Sequence, residues 1–404
     1  MTGSRGVRRS HRAALAVLAW LAPAAPCAAA SLDAYAPSVS GSARQVGLAG
    51  ANLADPSDYS SVFVNPAGLA GLSGKGLDFG ADSDSVENFV VDLEDPKSRV
   101  LNDPLRHNYV GVRYVTESGW GLGLAAQRPF DETDSFDVQT RRKIGGRTVT
   151  VRTGDAAVLK TAVNTYSLAA AKTFLDGRLA VGLALNYNRV DQDFAFEPEV
   201  SSMAYANSAT HGSFTGDVGL LAAPRNWLKL ALVYKMGTRV GFGESLRPQL
   251  SAFPDVKTPD RLSFGFSLQP HRMVRLYGKS TYVFAMSDTM VMGSGLFPRA
   301  PHAVVATGRY DTVSGHAGLE FVPLDAPDLT IRFWGGGYYE ETGVQGGYDR
   351  IHRTAGFSFE PWFLSVAFAI DDAEHYNNFC AGVGVDVFQA ARRVARSMGK
   401  ELPL

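Results

Sequence analysis

The sequence predicts an all-β protein: a transmembrane antiparallel β-barrel of about 14 strands, with an N-terminal hatch plugging its lumen. Three observations lead there. The chain opens with an export-type leader. Most of the remainder is written in short runs where large apolar residues alternate with small or polar ones. The connections between those runs alternate between tight and long.

The leader covers residues 1–30. Arg5, Arg8, Arg9 and Arg12 form a basic head, and Ala13–Ala25 is apolar but too short to span a bilayer as a helix. Ala28-Ala29-Ala30 supplies the small residues of a cleavage site, placed after Ala30. Cys27 follows Pro26, which is unlike the small residue a lipoprotein site needs. The leader carries four arginines and no acid, so its removal takes the formal net charge from -1 to -5. That mildly acidic balance excludes a basic field for nucleic acid. Cys380 then stands alone, so no internal disulfide forms in an oxidising compartment. No later segment holds eighteen consecutive apolar residues, which excludes a transmembrane helix.

Residues 31–74 are small, polar and glycine-rich without sustained period, and read as a plug with a helical turn or two. They end on the turn Asn65-Pro66-Ala67-Gly68. Asn65 is biased to extended backbone by the proline, Pro66 has a fixed φ, and Ala67 and Gly68 let another backbone come close.

From residue 75 the period is two. Trp120, Leu122, Leu124 and Ala126 alternate with Gly121, Gly123, Ala125 and Gln127. Val181, Leu183, Leu185 and Tyr187 alternate with Gly182, Ala184, Asn186 and Asn188. The same pattern holds for Leu228–Lys235, Leu262–Gln269 and Ala381–Phe388. A soluble sandwich would bury the large face; a membrane barrel turns it to lipid. Trp120, Tyr187, Trp227, Tyr234 and Tyr282 near run ends suit an interfacial girdle and favour the barrel. So do tight turns at 117–119, 175–178, 224–226 and 270–272 set against long connections at 129–163, 190–210, 236–258 and 286–302. Strands are expected near 75–82, 107–116, 119–128, 164–174, 178–190, 211–222, 227–236, 260–269, 273–284, 311–322, 328–339, 351–360, 362–371 and 378–388. Residues 303–309 belong either to the tenth strand or to a loop. Residues 135–142 and 147–153 read as a hairpin about Gly145-Gly146 that extends outward. The domains are therefore 1–30 leader, 31–74 hatch, 75–388 barrel and 389–404 a basic tail reaching the periplasm, with Arg392, Arg393, Arg396 and Lys400 on a short helix.

The order of these features resembles the FadL/TodX family of outer-membrane transporters of long-chain fatty acids and other hydrophobic compounds. The matching residues are the Asn65-Pro66-Ala67-Gly68-Leu69 turn, Trp120-Gly-Leu-Gly-Leu followed by Pro129-Phe130, Thr258-Pro-Asp-Arg-Leu-Ser-Phe-Gly-Phe-Ser-Leu, and Arg353-Thr-Ala-Gly-Phe-Ser-Phe through Ala381-Gly-Val-Gly-Val. The resemblance implies passive, hatch-gated uptake in the outer membrane of a Gram-negative bacterium, with lateral exit beside a kinked third strand, by a monomer in contact with outer-membrane lipids. Asn65, Pro66, Ala67 and Gly68 take the gate role, and Gly121 and Gly123 are the candidate kink. Two departures are the hairpin in the first long loop, where the family often has helices, and the basic tail in place of a terminal aromatic.

No nucleophile elbow, zinc-helix or P-loop pattern occurs, so neither enzyme activity nor cofactor nor metal is expected. His302, His316, His352 and His375 are scattered, and Asp371-Asp372 with His375 reads as a solvated loop tip rather than an acid/base pair. A conduit for amphiphiles needs an apolar path and a cation for a headgroup; Arg113 and Lys229 fall in the inward register. The alternative is a non-transporting outer-membrane barrel with a structural or secretion-accessory role through partner binding.

Overall fold

The computed structural model describes residues 31–35, 39–56, 58–70, 76–90, 99–102, 106–144, 147–197, 205–242, 253–291, 305–306, 308–326, 328–344, 347 and 349–398. The leader, the Gly145-Gly146 turn and residues 399–404 of the expected basic tail lie outside them.

Fourteen antiparallel strands close into a barrel. They are β1 (Gly76–Val90), β2 (Arg106–Val115), β3 (Trp120–Ile144), β4 (Arg147–Phe174), β5 (Leu179–Glu197), β6 (Tyr205–Arg225) and β7 (Leu228–Lys235). The second half comprises β8 (Arg261–His271), β9 (Val274–Val283), β10 (Thr312–Ala326), β11 (Leu329–Glu340), β12 (Arg350–Pro361), β13 (Leu364–Ala373) and β14 (Tyr376–Asp386). Each pairs with its neighbour in sequence, and β14 closes on β1 from Asp78↔Asp386 to Asn88↔Tyr376. Every expected strand is present. A four-residue strand, Arg99–Asn102, adds to the outer end of β1.

Alternation decides which face points where. Along β5, Leu183, Leu185 and Tyr187 are exposed while Gly182, Ala184, Asn186 and Asn188 are buried. Leu122 and Leu124 of β3 stand out in the same way, with Gly121 and Gly123 buried beneath. In a closed sheet the two faces are outside and inside, so the oily rows form the outer surface. That is an arrangement for hydrocarbon rather than water. Trp120, Phe174, Trp227 and Trp362 are exposed at the end carrying the tight turns. Tyr166, Tyr187 and Phe214 form a ladder of rings nearer the other end, with centroids 6.4 and 5.2 Å apart. Phe174 and Tyr166 are eight residues apart on β4, about 26 Å along a strand, which suits an apolar band between two girdles.

The pair β3–β4 runs well past the band to Ile144↔Arg147, so the expected outward hairpin is an extension of these two strands. Residues 305–306 leave the tenth strand and pair instead with Thr289–Val291. They belong to a small sheet at the long-loop end, where Ser31–Asp33 lies parallel to both Val256–Lys257 and Thr289–Val291. Three-residue strands carry no legible period, and sequence reading missed this sheet.

From Ser31 the chain descends through the lumen. It forms α1 (Ala43–Gly47), a 3-10 turn at Asn52–Ala54, α2 (Ser61–Val64) and a second 3-10 turn at Pro66–Ala70. Almost every described side chain between Val39 and Ala70 is buried. One half packs on the wall made by β9–β14, through Val39, Ala43, Val46 and Leu48 against Tyr277, Trp334, Tyr338 and Ala369. The other packs on β4–β7, through Val62, Val64, Ala67 and Leu69 against Ala169, Ala171, Ala184 and Val233.

Candidate functional site

The Asn65-Pro66-Ala67 turn is fully buried inside the barrel. Asn65 is extended, φ -158° and ψ 107°, as its proline neighbour requires. Its Oδ1 accepts the Ala67 N–H at 3.0 Å, and the Gly68 N–H donates to its carbonyl at 2.9 Å. Its Nδ2 donates to Leu53 O at 3.2 Å within the hatch and to Leu220 O at 3.4 Å on β6. Asn65 thus ties the turn to itself and to the wall.

The wall receives residues 62–70 on a patch of glycines. A Cβ at Gly182 would fall on the Pro66–Ala67 backbone, at Gly219 on Asn65 Oδ1, and at Gly121 on the Leu69 carbonyl. At Gly123 it would come within 2.6 Å of the Val62 side chain. Gly121 and Gly123 therefore serve close approach to Leu69 and Val62. The β2–β3 ladder passes through them in register, Val115↔Gly121 and Arg113↔Gly123. The irregularity of β3 lies between Gln127 and Phe130, where Arg128 and Pro129 together face the single Asn164 of β4. Proline cannot donate to the ladder, and one extra residue makes a bulge. The bulge also reverses parity and turns Phe130 inward, where it packs with Val163, Val190 and Leu32. Pairing of β3 with β2 ends at this level, at Tyr109↔Gln127.

A second set of contacts pins the hatch by charge. Arg44 of α1 donates to Glu320 Oε2 on β10 at 3.2 Å, to Asp55 O at 3.0 Å and to the Tyr277 hydroxyl at 3.1 Å. Arg275 approaches Glu320 at 3.1 Å and Asp55 at 3.5 Å, and Lys229 pairs with Asp55. Burial alone would raise the Asp55 carboxyl; Lys229, Arg44 and Arg275 overcome it and hold the group below the usual carboxylate range. On the β1–β2 side, Asp82 accepts the Ala43 N–H at 2.9 Å and the Tyr59 hydroxyl at 2.8 Å. Near the outer end, Arg309 reaches Asp33 at 2.7 Å with both side chains fully buried. Burial pushes the Asp33 carboxyl up against the opposing pull of that guanidinium.

The two cations expected in the lumen are engaged there with acids. Arg113 pairs with Asp78 at 2.6 Å, and Lys229 with Asp55. Further toward the outside, Lys235, Arg261 and Lys279 lie within electrostatic range of one another, with Asp217 facing Lys235. Lys235 Nζ donates to the Phe63 carbonyl of the hatch. Among the described residues, Lys279 has no acidic partner and Arg261 Nε has no hydrogen bond. These three cations come from different strands, and no local motif announces them.

The histidines also sort differently from their spacing. His375 occupies the tip between β13 and β14, 3.6 Å from Glu374. Asp371 belongs instead with His352: Nδ1 lies 2.8 Å from Asp371 Oδ1, and Nε2 lies 2.5 Å from Glu340 Oε2. The His352 ring stacks on Tyr338, whose hydroxyl donates to Asp371 at 2.6 Å and accepts the Val39 N–H at 3.2 Å. His352, Glu340 and Asp371 thus bond across β11–β13, and the Tyr338 hydroxyl carries the group to Val39.

No protein-family model matches the chain, and no curated protein does. Solved structures do. A FadL homologue of Pseudomonas aeruginosa superposes with a TM-score of 0.57 at 11% identity, covering 89% of this chain and 100% of that one. The P. putida toluene transporter TodX gives 0.57 at 12%, covering 86% and 98%. The Ralstonia pickettii toluene transporter TbuX gives 0.54 at 14%, covering 86% and 97%. At identities this low the likeness is one of architecture, and it spans nearly the whole of each relative: the chain has the FadL/TodX-like barrel fold.

Proposed function

We propose that the protein is an outer-membrane channel of a Gram-negative bacterium for the passive uptake of hydrophobic compounds, with the Asn65-Pro66-Ala67-Gly68 turn as its gate. The observation that carries this reading is a juxtaposition. The buried turn presses on Gly182 and Gly219, the residues flanking it, Val62 and Leu69, press on Gly121 and Gly123, and a few residues further along β3 the Arg128–Pro129 bulge ends pairing with β2. A small shift of the turn would join the lumen to a gap in the wall, through which an apolar molecule leaves sideways into lipid. Transfer of apolar surface drives the step, at about 0.8 kcal/mol per buried CH₂, so no energy source is required.

The substrate class we favour is an amphiphile with an anionic head, such as a long-chain carboxylate. With Arg113 and Lys229 held in ion pairs, the headgroup role passes to Lys235, Arg261 and Lys279. The test is uptake of a fluorescent long-chain carboxylate and its methyl ester by cells stripped of their own channel. The chain should accelerate entry of both. A K235M/K279M double variant should slow the carboxylate by roughly tenfold, the loss of one charge-assisted contact, while leaving the ester unchanged. Entry no faster than in cells without the chain overturns the transport reading and favours a barrel that acts through partners. Equal loss for acid and ester overturns only the headgroup assignment.

A further inference from the structure

The short helix expected after the last strand is α3 (Val387–Ser397), which continues directly from β14. Asp386 caps it by accepting the Gln389 N–H at 2.8 Å. The helix runs along the rim at the tight-turn end. Near its start, Phe388 meets Tyr114 of β2 edge-on, centroids 6.3 Å apart. Toward its end, Arg393 lies 4.3 Å from the Trp362 ring in the β12–β13 turn and 3.5 Å from Asp328 in the β10–β11 turn. A helix that touches β2 on one side of β14 and the turns before β13 on the other is tangential to the barrel, parallel to the plane of the membrane.

Its faces are distinct. At about 100° per residue, Val387, Val394 and Met398 fall within about 40° of one another, with Ala391 beside them and Gln389, Arg392 and Arg393 opposite. Phe388 and Ala395 turn toward the protein, and Ala395 is buried. Val394 and Met398 remain 56% and 60% exposed. Bare apolar side chains on an otherwise polar helix need a cover. Trp362, the ring that Arg393 covers, is itself one of the exposed aromatics of the tight-turn girdle, so the helix sits at interface depth, continuous with the lipid-facing band. Among the described residues Arg392 has no acidic partner, and it is exposed.

We propose that α3 is an interfacial anchor whose partner is the phospholipid surface of the periplasmic leaflet. Val387, Val394 and Met398 enter the acyl boundary, and Arg392 meets lipid phosphate. The inference rests on the orientation of the barrel in a bilayer and is independent of what the barrel carries. It gives the chain a lipid-binding element outside the transmembrane wall.

The full chain reconstituted in phosphatidylethanolamine/phosphatidylglycerol nanodiscs tests it. Bimane is attached at V394C, M398C or Q389C, and quenching by brominated acyl chains is measured; native Cys380 is buried and serves as the unlabelled background. Labels at 394 and 398 should be blue-shifted and quenched, and the label at 389 should be neither. In parallel, amide exchange of 387–398 is followed in the unmodified chain and in V394D. The unmodified helix should exchange roughly tenfold or more slowly in the nanodisc than V394D does, with the β14 amides equal in both. Water-like emission at 394 and 398, or equal exchange in the two chains, overturns the proposal. Because the exchange arm uses the native sequence, a labelled variant that fails to insert does not leave the question open.

Discussion

Asn65 concentrates the account at the scale of a residue. Its amide and its carbonyl oxygen hold three polar groups, two of them carbonyls on different parts of the molecule. Asn65→Ala removes a partner from each of those groups, at about 1–3 kcal/mol for a buried one left unsatisfied. Amide exchange in residues 52–70 should rise while the barrel strands keep their protection; unchanged exchange would mean the side chain does not dock the hatch. Glycine positions give a paired contrast. Gly182→Val puts methyl groups into the Pro66–Ala67 backbone and should displace the turn, whereas at Gly315 a Cβ meets nothing within 4 Å and valine should be tolerated. Equal protection of the hatch in the two variants would contradict the close approach. Asp55 sets the acid response. Its folded pKa is depressed, so its contribution is complete above the unfolded value of about 3.9 and is lost only as pH falls through the lower folded value. Protection of residues 52–56, around Asp55, should therefore match at pH 5 and pH 7, and a loosening there at pH 5 would show that the Asp55 latch does not hold.

At the scale of an element, β3 carries the most information and the clearest lesson. Its first eight residues declare their faces in the sequence, because Gly121 and Gly123 are small where Trp120, Leu122 and Leu124 are large. Beyond Gln127 that reading fails, since one extra residue reverses parity and sends Phe130 into the lumen. A bulge is visible only against the partner strand, so the run of residues alone does not show it. For the same reason the His352–Asp371–Glu340 group stayed hidden: its members meet through the register of β11, β12 and β13, while Asp371 and His375 are merely near in sequence. The strands and the local backbone of the Asn65-Pro66 turn were legible because each rests on local size and backbone preference. Deleting Pro129 removes the extra residue, aligns Arg128 with Asn164 and keeps Phe130 opposite Val163. The barrel should still assemble, as judged by heat-modifiable mobility, and uptake should fall severalfold if the bulge opens the wall. Undiminished uptake would place the exit elsewhere.

For the whole molecule, one assignment governs the rest: the oily rows face hydrocarbon, and the described residues between Val39 and Ala70 fill the cylinder they enclose. Both walls hold the hatch, through the glycine patch on one side and through α1, Arg44 and the Tyr338 hydroxyl on the other. A filled barrel and an emptied one differ in a single electrical property. Conductance across a planar bilayer, compared between the intact chain and one lacking residues 41–70, tests this most directly. The intact chain should insert without a sustained open current, and the shortened chain should form a steady ohmic pore. A porin-like current from the intact chain, or no gain in current on removing the segment, would contradict the account.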